Sequence, residues 1–196
     1  MSTEKLFIKG RVLKRDRQAV AVVGTRTPTT YGREVAYEFS YKLAKSGVTI
    51  ISGLARGIDT VAHVAALAAG GRTIAVLGSG IDVIYPPENI ALAKRITNSG
   101  ALVSFFPKGT NPVGKNFLQR NELIAKLSLA VLVVEGRRKS GTLSTASHAA
   151  NLGVEVFAVP GPVNSPMSEA PLYLIEQGAR VAKSPADILE YLESVY

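Results

Sequence analysis

Cysteine is absent from the 196 residues, which excludes disulfides, thiolate zinc sites and a thiol nucleophile and fits a reducing compartment. Histidine occurs twice, as His63 and His148, too few for a metal centre to be expected. Long apolar runs are also missing: the longest, residues 61–69, is interrupted by His63 and far too short to cross a bilayer. The N-terminal stretch sets Glu4, Lys5 and Lys9 around three adjacent apolar residues, which is not the apolar core of a signal peptide. A soluble protein of the cytoplasm, without membrane contact, is therefore expected. Two nucleotide motifs are lacking as well. No G-x-x-x-x-G-K-[ST] occurs, and Gly24 is followed by Thr25, Arg26 and Thr27 where a dinucleotide fingerprint needs G-x-G-x-x-G. No cofactor is expected.

What is present is positive charge, unevenly spread. The formal net charge is +8, with +6 in residues 1–50, +1 in 51–100, +5 in 101–150 and −4 in 151–196. Excess charge alone speaks to solubility as readily as to a polyanionic partner, so its position on the fold has to decide between them.

Strand-like and helix-like segments alternate along the chain. Residues 19–23 (AVAVV) have the β-branched profile of a strand buried on both faces. From Tyr31 a helix is predicted, with Val35, Phe39 and Leu43 at i, i+4 and i+8, stopping before Gly47. Further strands are predicted over 48–51, 73–77, 101–104, 130–134 and 155–159, and helices over 57–69, 89–98, 141–152 and 185–195. Residues 6–8 add a candidate strand near the N-terminus. Such alternation argues for an α/β fold: a Rossmann-like, doubly wound, mostly parallel sheet with helices on both faces. The length suits one domain over 1–196 with a short N-terminal extension, 1–18.

In an open parallel sheet, ligands collect beyond the carboxyl ends of the strands. The loops expected there are Gly24-Thr25-Arg26, the run from Ser52 and Gly53 through Arg56 to Asp59, Gly78-Ser79-Gly80, and Arg137-Arg138-Lys139-Ser140-Gly141-Thr142. Any one of them is ordinarily a plain helix entry. Together, with bare glycine backbone, helix N-terminal amides and cations at one edge, they describe a phosphate-binding floor. The connection 105–119 is predicted to be an irregular functional loop. It interleaves Lys108, Lys115 and then Arg120 with Phe105, Phe106 and Phe117, the mixture that single-stranded nucleic acid requires. At least one of these phenylalanines is expected in the core, with Phe117 the candidate for exposure.

At these residues the sequence resembles the DprA/Smf family of DNA-processing proteins. The likeness lies in Gly24-Thr25-Arg26, SGLARGIDTVAH (52–63), TIAVLGSGIDVIYPPEN (73–89), NFLQRNELIAKLS (116–128), LVVEGRRKSGTLSTA (132–146) and VFAVPG (156–161), and so covers essentially the whole chain. The resemblance implies a Rossmann-like core that binds and protects single-stranded DNA and helps to load a RecA-type recombinase, commonly as a homodimer. It also implies DNA contacts at Arg26, Lys115, Phe117, Arg120, Asn121, Ser140 and Gly141. Glu122, Lys126 and the run Ser168-Glu169-Ala170-Pro171 depart from the family pattern, so one pocket edge is expected to differ. Many relatives carry a helical domain before this core and a winged helix after it, which puts double-strand binding in doubt for these residues.

Two rivals share the same floor: a nucleotide sensor and a nucleoside-monophosphate phosphoribohydrolase. The hydrolase pattern P-G-G-x-G-T-x-x-E keeps only its Gly-Thr here, in Gly141-Thr142, and Thr145 stands where its glutamate would be. A purely structural scaffold is the remaining alternative. The expectation is a non-catalytic protein that binds single-stranded DNA, dimerised through the acidic segment after about Leu172, which includes Tyr191 and Tyr196.

Overall fold

Val20 and Val22 bury their side chains on one face of a central sheet, and Ala19, Ala21 and Val23 on the other. This is the period-two alternation of a strand covered on both sides. The computed structural model describes residues 5–138 and 140–195. In chain order its elements are β1 (Phe7–Gly10), β2 (Ala19–Val23), α1 (Thr30–Lys45), β3 (Thr49–Ser52), α2 (Ile58–Ala68), β4 (Thr73–Val76), α3 (Ile90–Ser99) and β5 (Ala101–Ser104). There follow α4 (Gly114–Lys126), β6 (Ala130–Val133), α5 (Gly141–Asn151), β7 (Glu155–Ala158), α6 (Glu169–Glu176), β8 (Arg180–Val181) and α7 (Pro185–Val195). Short 3-10 turns at Lys14–Arg17, Pro87–Asn89 and Pro166–Ser168 link some of these elements.

The eight strands form one sheet in the order β1-β5-β4-β3-β2-β6-β7-β8. All neighbours are parallel except β1, which runs antiparallel to β5. From β2 the chain winds outward through β3, β4 and β5, then returns to lay β6 on the other side of β2. The reversal creates a crevice between β2 and β6, the place where doubly wound sheets hold ligands. Helices α1, α2 and α7 cover one face with Phe39, Leu43, Ile58, Ile188 and Leu192, and α3 extends that layer with Leu92 and Ile96. The opposite layer is α4 and α5, contributing Leu123, Ile124, Ala146 and Ala149, with Leu174 of α6 packed against them. The predicted α/β architecture is thus the one observed.

Three details differ from the sequence-based expectation. The connection 105–119 is irregular only up to Val113, and helix α4 begins at Gly114. Its inward positions include Asn116, Arg120 and Asn121, so polar residues interrupt the apolar stripe that would have marked a helix. Neither α6 nor the two-residue β8 was anticipated; β8 is short and exposed, with no apolar pattern to read. The apolar face of α7, expected to carry a protein contact, turns Ile188 and Leu192 into its own domain's core. Tyr196 lies outside the described residues.

The N-terminal segment is stitched to the body by a buried ion pair. The Arg72 guanidinium donates to Asp16 at 2.6 and 2.8 Å, and Asp16 also accepts from the Thr49 hydroxyl at 2.8 Å and the Leu13 amide at 2.7 Å. Burial raises the Asp16 pKa, but the Arg72, Leu13 and Thr49 hydrogen bonds outweigh it, and the net shift is downward.

His63, four residues after Asp59 on α2, is fully buried. Thr73 gives its hydroxyl proton to the Ile50 carbonyl, so His63 Nδ1, 2.7 Å away, must donate to that hydroxyl. Burial, with a smaller contribution from the Arg120 charge, lowers the His63 pKa to about 3. Between about pH 3 and the ordinary value of 6.5 the unfolded chain therefore binds a proton here that the folded chain does not. This contribution to stability is present above pH 6.5 and is lost as pH falls, with a limiting slope of about 1.4 kcal/mol per pH unit. Thermal or urea melts of the unaltered protein and His63→Leu across that range should diverge, the variant losing less stability on acidification. Parallel curves would show that His63 does not titrate as its burial requires.

Candidate functional site

The first loop of the crevice is built around a buried carboxylate. Glu135, just beyond β6, accepts the Thr29 amide at 3.0 Å and the Thr29 hydroxyl at 2.6 Å, while its own carbonyl accepts the Thr25 amide at 2.7 Å. Thr29 is the N-cap of α1, its hydroxyl accepting from the Gly32 amide. An internal anion thus already sits at the positive end of α1, and that end adds nothing to a phosphate floor. The amino end of α5 is arranged differently. Its N-cap, Ser140, makes no side-chain capping bond, and Ser140, Gly141 and Thr142 open onto a cleft of about 550 Å³.

Three more walls complete that cleft: Gly24, Thr25 and Arg26 after β2, Ala55 and Asp59 at the start of α2, and Gly114, Phe117, Leu118, Arg120 and Asn121 of α4. One of its charged side chains, Arg120, is buried. Its Nη1 donates to the carbonyls of Gly53, after β3, and of Val76 in β4, the latter at 2.9 Å; its Nε donates to Asn121 Oδ1 at 3.2 Å. Asn121 in turn donates from Nδ2 to the Gly141 carbonyl at 3.2 Å, tying α4 to the first turn of α5. Asp59, also buried, accepts the Gly53 and Ala55 amides at 3.0 and 3.4 Å. Burial raises the Asp59 pKa and the Arg120 charge pulls it back; burial lowers the Arg120 pKa, and Asp59 opposes that shift.

Phe117 forms the aromatic part of the wall. The half-buried ring lies 5.6 Å from the Arg26 guanidinium carbon and 5.7 Å from that of Arg120, both within cation–π range. Tyr85 tilts against it, with centroids 5.9 Å apart. Gly78 makes this placement possible: a Cβ there would fall 2.7 Å from the Phe117 ring. The Gly78-Ser79-Gly80 loop therefore supports the ring and does not line the cleft. It is held from both sides: the Gly80 amide donates to the Thr110 carbonyl and the Ser104 hydroxyl to the Ser79 carbonyl, while the Ser79 hydroxyl donates to the Val83 carbonyl at 2.6 Å. Phe105 and Phe106 pair edge to face at 4.9 Å, and Phe105 packs on the core.

Of the residues singled out from sequence, Gly24, Thr25, Arg26, Phe117, Arg120, Asn121, Ser140, Gly141 and Thr142 meet around this one cleft. Ser52 does not line it: fully buried, it donates its hydroxyl to the Val22 carbonyl at 2.7 Å. Gly53 lies beneath Arg120. Arg56 is exposed and ion-paired with Glu88 on the rim of a smaller hollow shared with Arg26, Tyr85 and Phe117. Lys115 is exposed on the first turn of α4, outside the cleft lining. Arg137 faces a separate hollow with Arg138 and Tyr173, and Lys139 lies outside the described residues. Glu122 and Lys126, which depart from the family pattern, pair with each other at 2.6 Å on α4, outside the cleft lining. Sequence reasoning missed Asp59 and Glu135 as organisers of the loops. The only sequence signal for either is an acidic residue next to a glycine-rich strand end.

The contact between Gly53 and Arg120 is testable. A Cβ at Gly53 would fall 1.8 Å from Arg120 Nη1, so Gly53→Ala must displace a buried cation from its carbonyl partners. Leaving such a charge without partners costs about 3–5 kcal/mol, and a loss of that order in chemical denaturation is expected. A loss below about 1 kcal/mol would mean that the guanidinium is not fixed there.

Comparison with known proteins follows the same lines. Residues 2–193 match the DNA recombination-mediator protein A family. Protein Smf of Escherichia coli K12 is 48% identical over 189 residues, covering 96% of this chain and 50% of that protein. The crystal structure of DprA from Streptococcus pneumoniae superimposes with a TM-score of 0.89 at 40% identity, over 94% of this chain and 65% of that one. DprA from Helicobacter pylori, whose structure was described for its mode of binding single-stranded DNA, gives a TM-score of 0.88 at 31% identity, over 97% and 87% of the two chains. This chain thus spans about half the length of its Escherichia coli relative. With the family model matching nearly the whole chain and the fold shared, the chain belongs to the DNA recombination-mediator protein A family, the DprA/Smf proteins.

Proposed function

We propose that this chain binds single-stranded DNA in the cleft between β2, α4 and α5, protects it, and helps to load a RecA-type recombinase, without catalysing a reaction. The observation that carries the reading is the Phe117 ring in the cleft wall, with the Arg26 and Arg120 guanidinium carbons 5.6 and 5.7 Å from its centre, in a cleft that the amino end of α5 also lines. Single strands need a surface on which an unstacked base can lie, with cations and amides beside it for the phosphates. A duplex hides its base faces and should bind more weakly. The relative from Helicobacter pylori, which binds single-stranded DNA, supports the reading through its shared fold. The family description supports a role before recombination.

A nucleotide hydrolase would need a free acid/base group. The carboxylate that lines the cleft, Asp59, accepts two backbone amides, and Thr145 lines the wall where the hydrolase pattern calls for glutamate. Incubation with nucleoside monophosphates, with and without divalent metal, should release neither base nor phosphate. Turnover abolished by a cleft substitution would transfer the assignment to the hydrolase.

We take the chain to act in the cytoplasm; among the described residues no helix is long and apolar enough to cross a membrane. We also take the working form to be a homodimer using the segment after about Leu172, where Val181 and Val195 remain exposed although α7 closes its own core. Sedimentation at tens of micromolar should give twice the monomer mass; a monomer removes this part and leaves the cleft intact.

The central test concerns Arg26. Its guanidinium is exposed at the cleft mouth and can meet a phosphate with two parallel hydrogen bonds, which a lysine point charge cannot reproduce. Fluorescence anisotropy at fixed salt should show Arg26→Lys and Phe117→Ala each weakening single-strand binding roughly tenfold, or about 1.4 kcal/mol. Lys14→Ala, at the opposite end of β2, should change it little. With about four to six phosphates neutralised, log K should fall with log salt at a slope of roughly −3 to −4. Equal losses from Arg26→Lys and Lys14→Ala would mean diffuse charge attraction and no specific site.

A further inference from the structure

Helix α5 has two flanks at its amino end, and only one faces the cleft. Thr142 and Thr145 line the cleft, whereas Leu143, about 100° around the helix from Thr142, lines a second hollow of about 540 Å³. Its other walls are Arg137, Arg138, Glu169 and Tyr173. The Arg138 guanidinium carbon lies 4.2 Å from the centre of the Tyr173 ring, the shortest cation–π contact among the described residues. Arg137 beside it is exposed. Glu169 supplies the hollow's acidic group, and its Oε2 accepts the Arg138 backbone amide at 3.0 Å.

The platform is held in place by the backbone. The Gly136 amide donates to the Met167 carbonyl at 2.7 Å and the Ala170 amide to the Gly136 carbonyl at 2.9 Å, so the strand end bearing the arginines and the helix bearing Tyr173 are pinned together. A guanidinium stacked on a fixed aromatic ring presents a flat cationic face. Unstacked nucleobases lie on such faces, and an exposed arginine next to one suits the neighbouring phosphate. The hollow begins within one helical turn of Ser140 and Gly141, so a strand leaving the cleft past the amino end of α5 meets it next.

We propose that this shelf is a second nucleotide subsite on the same single strand, with a base laid on the Arg138–Tyr173 stack and its phosphate on Arg137. The assignment rests on the cleft being a single-strand site, and oligonucleotide length separates the two. Oligothymidylates of about 4 nucleotides fill the cleft alone, whereas those of about 12 or more also reach the shelf. Tyr173→Ala and Arg137→Ala should each weaken binding of the long oligomer roughly fivefold to tenfold and leave the short one unchanged. Tyr173→Phe, which keeps the ring, should behave as the unaltered protein. Arg26→Lys should weaken both lengths.

A 2-aminopurine placed successively along the long oligomer gives an independent readout that does not rely on affinity. One position outside the cleft-bound stretch should be quenched on binding, and Arg137→Ala should restore its fluorescence even if Tyr173→Ala proves too unstable to use. Unchanged affinity of both shelf variants for the long oligomer, or equal losses at both lengths, overturns the shelf while Arg26→Lys still reports on the cleft. Failure of the unaltered protein to bind either length overturns the cleft and the shelf together.

Discussion

A guanidinium taken out of water loses several kcal/mol of hydration, and the loss is tolerable only where its donors meet fixed acceptors. Arg120 meets this condition with the carbonyls of Gly53 and Val76, at the carboxyl ends of two neighbouring parallel strands, and with the side chain of Asn121. Those carbonyls lie where the sheet runs out of partners, so the guanidinium satisfies them as they satisfy it. Asp59 completes the arrangement from below by organising the Gly53 and Ala55 amides. Helix α4 is consequently fixed against β3, β4 and α2 at the level of the crevice. Phe117, almost one turn before Arg120, is fixed with it. The cleft has its shape because a cation is buried beneath it.

The same arrangement explains which parts of the molecule could be read from sequence. Strands β2, β3, β4, β6 and β7 are short apolar runs ended by glycine, proline or polar residues, and their burial on both faces leaves little else for such runs to be. The parallel winding follows from their alternation with helices, and the crevice from the winding. Six of the candidate residues collect there because the loops after β2 and β6 flank the switch point, and helix α4 brings in Phe117, Arg120 and Asn121. Helix α4 was illegible for the reason that makes it useful: its inward face carries Asn116, Arg120 and Asn121, and a buried arginine looks in sequence like a surface one. Pairings across long sequence separations were equally hidden. Nothing near Arg56 marks Glu88 as its partner, and nothing near Thr29 marks Glu135.

The Gly-rich loops illustrate a further limit. Sequence treats the four strand-end loops alike, yet the structure gives them different roles. The loop after β2 lines the cleft, that after β3 sits under Arg120, that after β4 supports Phe117, and that after β6 closes α1 with Glu135 and opens α5. Glycine at a strand end signals close approach of something to the backbone. Whether that is a ligand, a ring or an arginine depends on partners more than 20 residues away.

Charge is distributed on two length scales. The cations at Lys14, Arg15 and Arg17 precede the amino end of β2, whereas Arg26 follows its carboxyl end. Five strand residues at about 3.3 Å each separate the two ends by roughly 16 Å, twice the screening length of about 8 Å at physiological ionic strength. The N-terminal block therefore cannot share a phosphate with the cleft, and at that ionic strength its field there is largely screened. It can speed the approach of a polyanion in dilute salt, as charge far from a binding site does. In the proposed single-strand complex, holding the strand falls to a smaller set of groups: Arg26 at the mouth, Arg120 near Phe117, and the amides at the start of α5. Their number is small, but each is fixed by the backbone or by a ring, so little conformational freedom is lost when a ligand arrives. On the proposed function, net charge brings a strand to the protein, and the buried arginine with its attached helix determines where on the surface the strand can be held.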